Sequence, residues 1–461
     1  MGGGACVAAR LPWNPYPMRS ILRRLTIILA GAVALTACAP TSLAAQTPPV
    51  WSAPTLPAGD AACPRVLPEG TRCYRGRSET GAFWWIAIPP DWNGSLVVHA
   101  HGGPRTGAPE ADDPVEDLER FSVMVREGYA WAGSTYRRGG YGVRMAADDT
   151  DQLRQIFWDR FGRPARTILH GQSWGGNVAA KAAELYGLDA EGRKNYDGVL
   201  LTNGVLAGGT RAYQFRADLR AVYQFYCGNH PRRDEVQYPL WRGLPEGTRM
   251  SRAELTERVQ ACTGLGLSMR DRTAAQGARL RNILAVTGIG EDELVAHLAW
   301  ATNLFQDMTG RIGGNPFDNS TRVYAGSDND AALNAGVQRF AADPAALAVL
   351  AEDANMTGRI VAPTLTVHAK DDPTAFVWHE AAYRDVVTAA GRSDLLVQTF
   401  TDEDTHSKLS TPQYAALLAA LLAWIETGER PTPQGIADTC PAFAATYREP
   451  CRFDPAFQPQ N

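Results

Sequence analysis

Short apolar runs alternate along the chain with longer stretches of helical spacing. Phe83–Ile88, Leu96–Ala100, Tyr129–Ser134, Thr167–His170, Val199–Thr202, Thr364–His368 and Leu395–Phe400 have the length and the β-branched or aromatic content of strands. Between them, apolar positions recurring every three or four residues predict helices over Val115–Arg126, Asp148–Phe161, Asn177–Tyr186, Thr374–Ala390 and Thr411–Thr427. Strands alternating with helices predict an α/β protein whose mostly parallel sheet is covered on both faces. The first two strands, joined by Pro-Pro-Asp-Trp-Asn-Gly, read as an opening hairpin. From about Val205 to Ile360 the pattern is helical and rich in Arg, Ala and aromatic residues, which predicts an inserted cap over 205–360 between core segments 63–204 and 361–461. Cap rings such as Tyr213, Phe215, Tyr223, Trp241, Trp300 and Phe305 would either face an acyl or aryl group or fill the cap's own core.

The N-terminal segment has a different pattern. Arg10, Arg19, Arg23 and Arg24 precede the apolar run Leu25–Leu35, which is shorter than the roughly 20 residues of a membrane-spanning helix. That is the layout of a signal peptide over 1–37, with Met18 as an alternative start. Leu35-Thr36-Ala37-Cys38 resembles the bacterial lipobox, which implies a lipidated Cys38 and a protein held at a membrane in the periplasm or at the cell surface. Ordinary cleavage near Ser42–Ala45, with secretion, is the alternative. Residues 38–62, rich in Pro, Ala, Thr and Ser, read as a flexible tether. In an exported chain the six remaining cysteines favour disulfides, and their positions group as Cys63 with Cys73, Cys227 with Cys262, and Cys440 with Cys451.

Composition narrows the function. With 461 residues, 45% hydrophobic and 20% charged, the chain can bury a large core, and its net charge of −4 without basic runs argues against nucleic acid. No glycine string lies in a nucleotide-binding context and no Cys or His spacing suits a metal, so no cofactor and no metal are expected.

The strongest chemical signal is Gly171-Gln172-Ser173-Trp174-Gly175-Gly176, which follows a predicted strand and opens a small-residue helix. In that setting G-x-S-x-G makes a sharp turn that lifts the serine hydroxyl above the sheet edge. With this motif the sequence resembles the α/β-hydrolase superfamily over roughly residues 74–204 and 361–428. The resemblance implies the chain order nucleophile, acid, histidine. Ala369-Lys370-Asp371-Asp372-Pro373 follows a predicted strand and is similar to the acid loop, pointing to Asp372 with Asp371 as the alternative. His406, after the next strand, stands where the family has its base; the other histidines fall in predicted strands, a helix or the cap. His101-Gly102-Gly103-Pro104 follows another strand end, so the backbone N–H groups of Gly103 and Trp174 are the expected oxyanion donors. Tyr136–Tyr141 reads equally as a cleft wall or a solvated turn.

These features imply an exported serine hydrolase cleaving carboxylic esters, its partner a small molecule or peptide with a carbonyl centre. Two alternatives stand: a serine peptidase, aminopeptidase or prolyl-specific, with Glu291–Glu293 as candidates for binding an amino terminus, and a catalytically silent binding lipoprotein.

Overall fold

The computed structural model describes residues 56–460; the leader, Cys38 and most of the expected tether lie outside them. Eight strands, β1 (Arg72–Arg77), β2 (Phe83–Ile88), β3 (Ser95–Ala100), β4 (Ala130–Ser134), β5 (Arg166–Gln172), β6 (Gly198–Thr202), β7 (Thr364–Ala369) and β8 (Leu396–Thr401), form one sheet in the order β1-β2-β4-β3-β5-β6-β7-β8. From β4 to β8 every neighbouring pair is parallel, whereas β1–β2 and β2–β4 are antiparallel.

Alternation along the strands builds two cores. In β3, Leu96, Val98 and Ala100 face one core while Val97 faces the other; in β5 and β6, Leu169, Val199 and Leu201 oppose Ile168 and Leu200. Helix Thr411–Thr427 covers one face, with Leu417, Leu418, Leu421 and Trp424 buried there. The opposite face shares a single hydrophobic cluster with the insertion, including Tyr213, Leu219, Tyr223 and Phe305, so these side chains join the main core. A fully buried side chain of this kind contributes about 1.5–3 kcal/mol, which makes the insertion part of the fold's stability.

The structure corrects several local expectations. β2 and β3 run in opposite directions but do not pair, because β4 lies between them. The connection therefore spans roughly 10 Å, two strand spacings, and the hairpin is instead β1–β2, with Cys73 opposite Ala87. Every residue of β3 is buried, as a strand inside a covered parallel sheet must be. The expected Val115–Arg126 helix breaks at Phe121, whose ring packs 4.7 Å from His99 and 4.9 Å from His170. The helix expected from Asp148 starts at Val143, since Asp353 of the insertion accepts hydrogen bonds from the N–H groups of Val143 and Arg144, both at 3.0 Å. Residues 57–61 are bonded along β1: Asp60 and Ala61 N–H donate to the Cys73 carbonyl, and Tyr74 O–H donates to that of Pro57. The end of the expected tether is thus docked. A further helix, outside the predicted elements, spans Pro433–Tyr447, and beyond it Asp454 N–H donates to the Phe400 carbonyl, covering the edge of β8.

Cys63–Cys73, Cys227–Cys262 and Cys440–Cys451 are disulfide-bonded, with Cα atoms 5.4, 5.5 and 6.1 Å apart. The second closes the longest loop, with a sequence separation of 35. A Cys227→Ala/Cys262→Ala variant is expected to lose roughly 3–4 kcal/mol of unfolding free energy in urea titrations; an unchanged midpoint would contradict that role.

Candidate active site

Ser173 sits between β5 and helix Trp174–Tyr186 with φ 58° and ψ −124°, a region that residues with a Cβ rarely occupy. The turn is held by close backbone packing. A Cβ on Gly171 would stand 2.1 Å from the Gly175 carbonyl oxygen, and one on Gly175 would stand 2.1 Å from that of Ala100. Ser173 N–H donates to the Thr202 carbonyl at 3.0 Å, and its own carbonyl accepts from Gly176 and Val205 N–H, each at 2.9 Å. These bonds keep the strained residue in place.

Around this hydroxyl the structure brings together residues far apart in sequence. His406 Nε2 is 2.7 Å from Ser173 Oγ, and His406 Nδ1 is 2.7 Å from Asp372 Oδ2. A neutral imidazole with its proton on Nδ1 satisfies both contacts, donating to the carboxylate and accepting from the hydroxyl. Asp372 is 3% exposed and saturated with donors: Asn203 Nδ2 also bonds Oδ2 at 2.9 Å, while Thr374 and Ala375 N–H bond Oδ1 at 2.8 and 2.9 Å. Burial pushes this carboxyl up, but the His406 bond and charge, with His368 and the Thr374 N–H, outweigh it and hold it at about 2. The neighbouring Asp371 is exposed.

The loop after β3 closes over the turn. Gly102 lies so near that a Cβ on it would be 3.4 Å from Ser173 Cβ, and Gly103 has φ 70°. Trp174 begins its helix, so its N–H has no intrahelical acceptor. Burial pushes the His101 imidazole below its usual range; its Nδ1 bonds the Gly102 carbonyl at 3.0 Å and its ring stacks 4.1 Å from Tyr136. Tyr136 and Tyr141 are 3% and 1% exposed, which removes the solvated-turn reading of this segment. Gly140 N–H donates to the Arg105 carbonyl at 2.6 Å, tying the segment to the Gly102–Arg105 loop. A cavity of about 590 Å³ opens on Ser173 and His406, with Gly102, Gln172, Arg105 and Arg120 in its walls.

The residue at the turn after β5, the carboxylate after β7 and the imidazole after β8 thus meet at one edge of a mostly parallel, helix-covered sheet, in the order Ser, Asp, His. The chain has the α/β-hydrolase fold. No family model matches it. A curated relative, the o-phthalyl amidase of Xanthobacter agilis, is 27% identical over 107 residues, so the match spans 23% of this chain and about a fifth, 22%, of that protein. Among solved structures, this chain is similar to an esterase from Aspergillus oryzae (13% identity, TM-score 0.40, 78% of this chain and 80% of that one). It is also similar to the rice cell wall degrading esterase LipA of Xanthomonas oryzae (13%, 0.36, 77% and 88%) and to the acylaminoacyl peptidase of Pyrococcus horikoshii (12%, 0.34, 73% and 37%).

Other sequence candidates are placed elsewhere. His99 and His170 are buried with their Nδ1 atoms 2.8 Å apart, His368 is bonded to Glu380, and Glu291 pairs with Arg272. Two residues escaped the sequence reading. Asn203, directly after β6, shows only as a polar residue at a strand end, and Arg216 lies in an ordinary helical pattern.

Because Asp372 has a folded value of about 2, below the roughly 3.9 of an unfolded aspartate, its contribution to stability is complete above about pH 4 and fades as the pH falls towards 2. Asp372→Asn is expected to flatten the stability–pH curve in that window by about 2 kcal/mol, read from denaturant midpoints at pH 4 and pH 2; an unaltered slope would refute it.

Proposed function

We propose that the protein is an exported serine hydrolase that cleaves carboxylic esters through an acyl-enzyme. His406 Nε2 takes the Ser173 proton as Oγ attacks the carbonyl carbon, and the N–H groups of Gly103 and Trp174 receive the developing oxyanion. His406 then gives its proton to the leaving alkoxide. Water attacks the acyl-enzyme, passing its proton to His406, which returns it to Ser173 Oγ as the acid departs. Asp372 stays ionised throughout, orienting the imidazole and stabilising its charged form. The observation that carries the proposal is the pair of 2.7 Å contacts linking Ser173, His406 and Asp372.

The same machinery can cleave an amide, and the partial similarity to an amidase favours this as the second reading, in place of the peptidase specificities alone. Three disulfides support an oxidising compartment, and the leader with Cys38 supports a lipid anchor at the cell surface or in the periplasm.

A fluorophosphonate probe is expected to label Ser173, and Ser173→Ala should abolish labelling and lower kcat by at least about a thousandfold. Panels of p-nitrophenyl esters and aminoacyl anilides separate the readings: turnover of esters supports the first, and turnover of anilides alone supports the second. Folded protein that is neither labelled nor active on either panel would overturn both.

A further inference from the structure

His368 lies in β7, fully buried, and both of its ring nitrogens face oxygen. Nδ1 is 3.2 Å from Glu380 Oε1, and Nε2 is 2.6 Å from the Ala375 carbonyl oxygen. A carbonyl only accepts, so Nε2 carries a proton. Glu380 is fully buried as well, and its Oε2 accepts from Thr366 Oγ1 at 2.6 Å and from Gln398 Nε2 at 2.5 Å, the bonding of an ionised carboxylate. Opposite such a group Nδ1 must donate too, and a ring that donates from both nitrogens is an imidazolium. Asp372 Oδ2 lies 3.8 Å from Nε2, so the cation stands between two carboxylates. Burial pushes this imidazole towards its neutral form, but Glu380, Asp372 and the Ala375 carbonyl outweigh it and raise the group above its ordinary range.

This cation reaches Asp372 by two routes. Its charge favours the ionised carboxyl, and its bond to Ala375 holds the residue whose own N–H donates to Asp372 Oδ1 at 2.9 Å. The other ionisable groups around it do not take its place. His379 and Tyr383, from helix Trp378–Ala389, are buried and neutral, and so is His297 of the insertion, which bonds the Pro373 carbonyl. Gln398 of β8 is uncharged and β6 has no ionisable side chain. Arg216, from the insertion, adds a second positive charge that acts on Asp372, but its hydrogen bond goes to the Thr374 carbonyl.

We propose that His368 and Glu380 are positioning residues that extend the chain Ser173–His406–Asp372 inwards: a buried ion pair keeps Asp372 ionised and turned towards His406, a role in turnover that rests on the hydrolase reading above. The counterpart is a neutral pair, with the proton on Glu380, that serves packing alone.

Heteronuclear NMR with nitrogen-labelled histidine separates the two without any substrate. At about pH 8 a histidine titrating near 6.5 is neutral. His368, assigned by the signals missing in His368→Gln, is expected to be protonated on both nitrogens there. A native spectrum with no imidazolium at that pH overturns the proposal, whether or not His368→Gln folds. In Glu380→Gln, which keeps the side chain's shape, His368 should become neutral. The His406 midpoint should then rise by roughly half to one pH unit, because no adjacent cation counters Asp372. The acid limb of kcat/KM for a p-nitrophenyl ester should move up with it. An unmoved His406 midpoint, even with slower turnover, is the signature of packing and overturns the role. If the native protein turns over no ester or anilide, the hydrolase reading fails separately, and the two NMR readouts still decide the ion pair and its hold on Asp372.

Discussion

The constraint on which the rest depends is the turn at Ser173, where a strand ends and a helix begins with a left-handed residue between them. The chain can pass through that point only because Gly171 and Gly175 have no Cβ: the carbonyls of Gly175 and Ala100 occupy the space one would fill. The steric demand reaches across the sheet, since Ala100 ends β3 and the Thr202 carbonyl that binds Ser173 N–H ends β6. Three adjacent strands therefore fix one hydroxyl, and the strain is sustained by packing that would be lost if any of them shifted.

Electrostatics adds a second layer. Asp372 is buried, and burial alone would favour its neutral form; the His406 bond and charge, with His368 and the Thr374 N–H, reverse that, and Asn203 and the Ala375 N–H also bond its oxygens. Of the hydrogen-bond donors to Asp372, two are backbone N–H groups of its own loop, and one is Asn203 from the end of β6. The imidazole is therefore held by a carboxylate that is itself hydrogen-bonded on both oxygens. On the other side, Arg216 and Thr374 connect the insertion to the same loop, so the cap-like segment and the acid are mechanically continuous.

The insertion is bound into the core. Its rings share one hydrophobic cluster with a face of the sheet, Asp353 caps the start of helix Val143–Phe161, and Asp307 accepts from Tyr141 N–H at 2.6 Å. A segment that contributes core residues, a helix cap and a loop anchor cannot be removed as an independent lid without disturbing what lies beneath it.

By itself the sequence determined the α/β alternation, most strand positions, the cysteine pairs and the Ser173 turn, and, through its resemblance to a known family, pointed to His406 and to Asp372 or Asp371. These are local signals: apolar periodicity, a glycine-bracketed serine, and polar residues just past strand ends. Tertiary structure alone decided strand order, the placing of β4 between β2 and β3, the break at Phe121 and the early start at Val143, because each depends on a partner distant in sequence. It likewise decided that Asp372, rather than Asp371, faces the imidazole, and that Asn203 and Arg216 approach the same loop. Spacing along a chain encodes the periodicity of its own helices and strands, whereas donors, counter-charges and neighbours are set only when elements pack against one another.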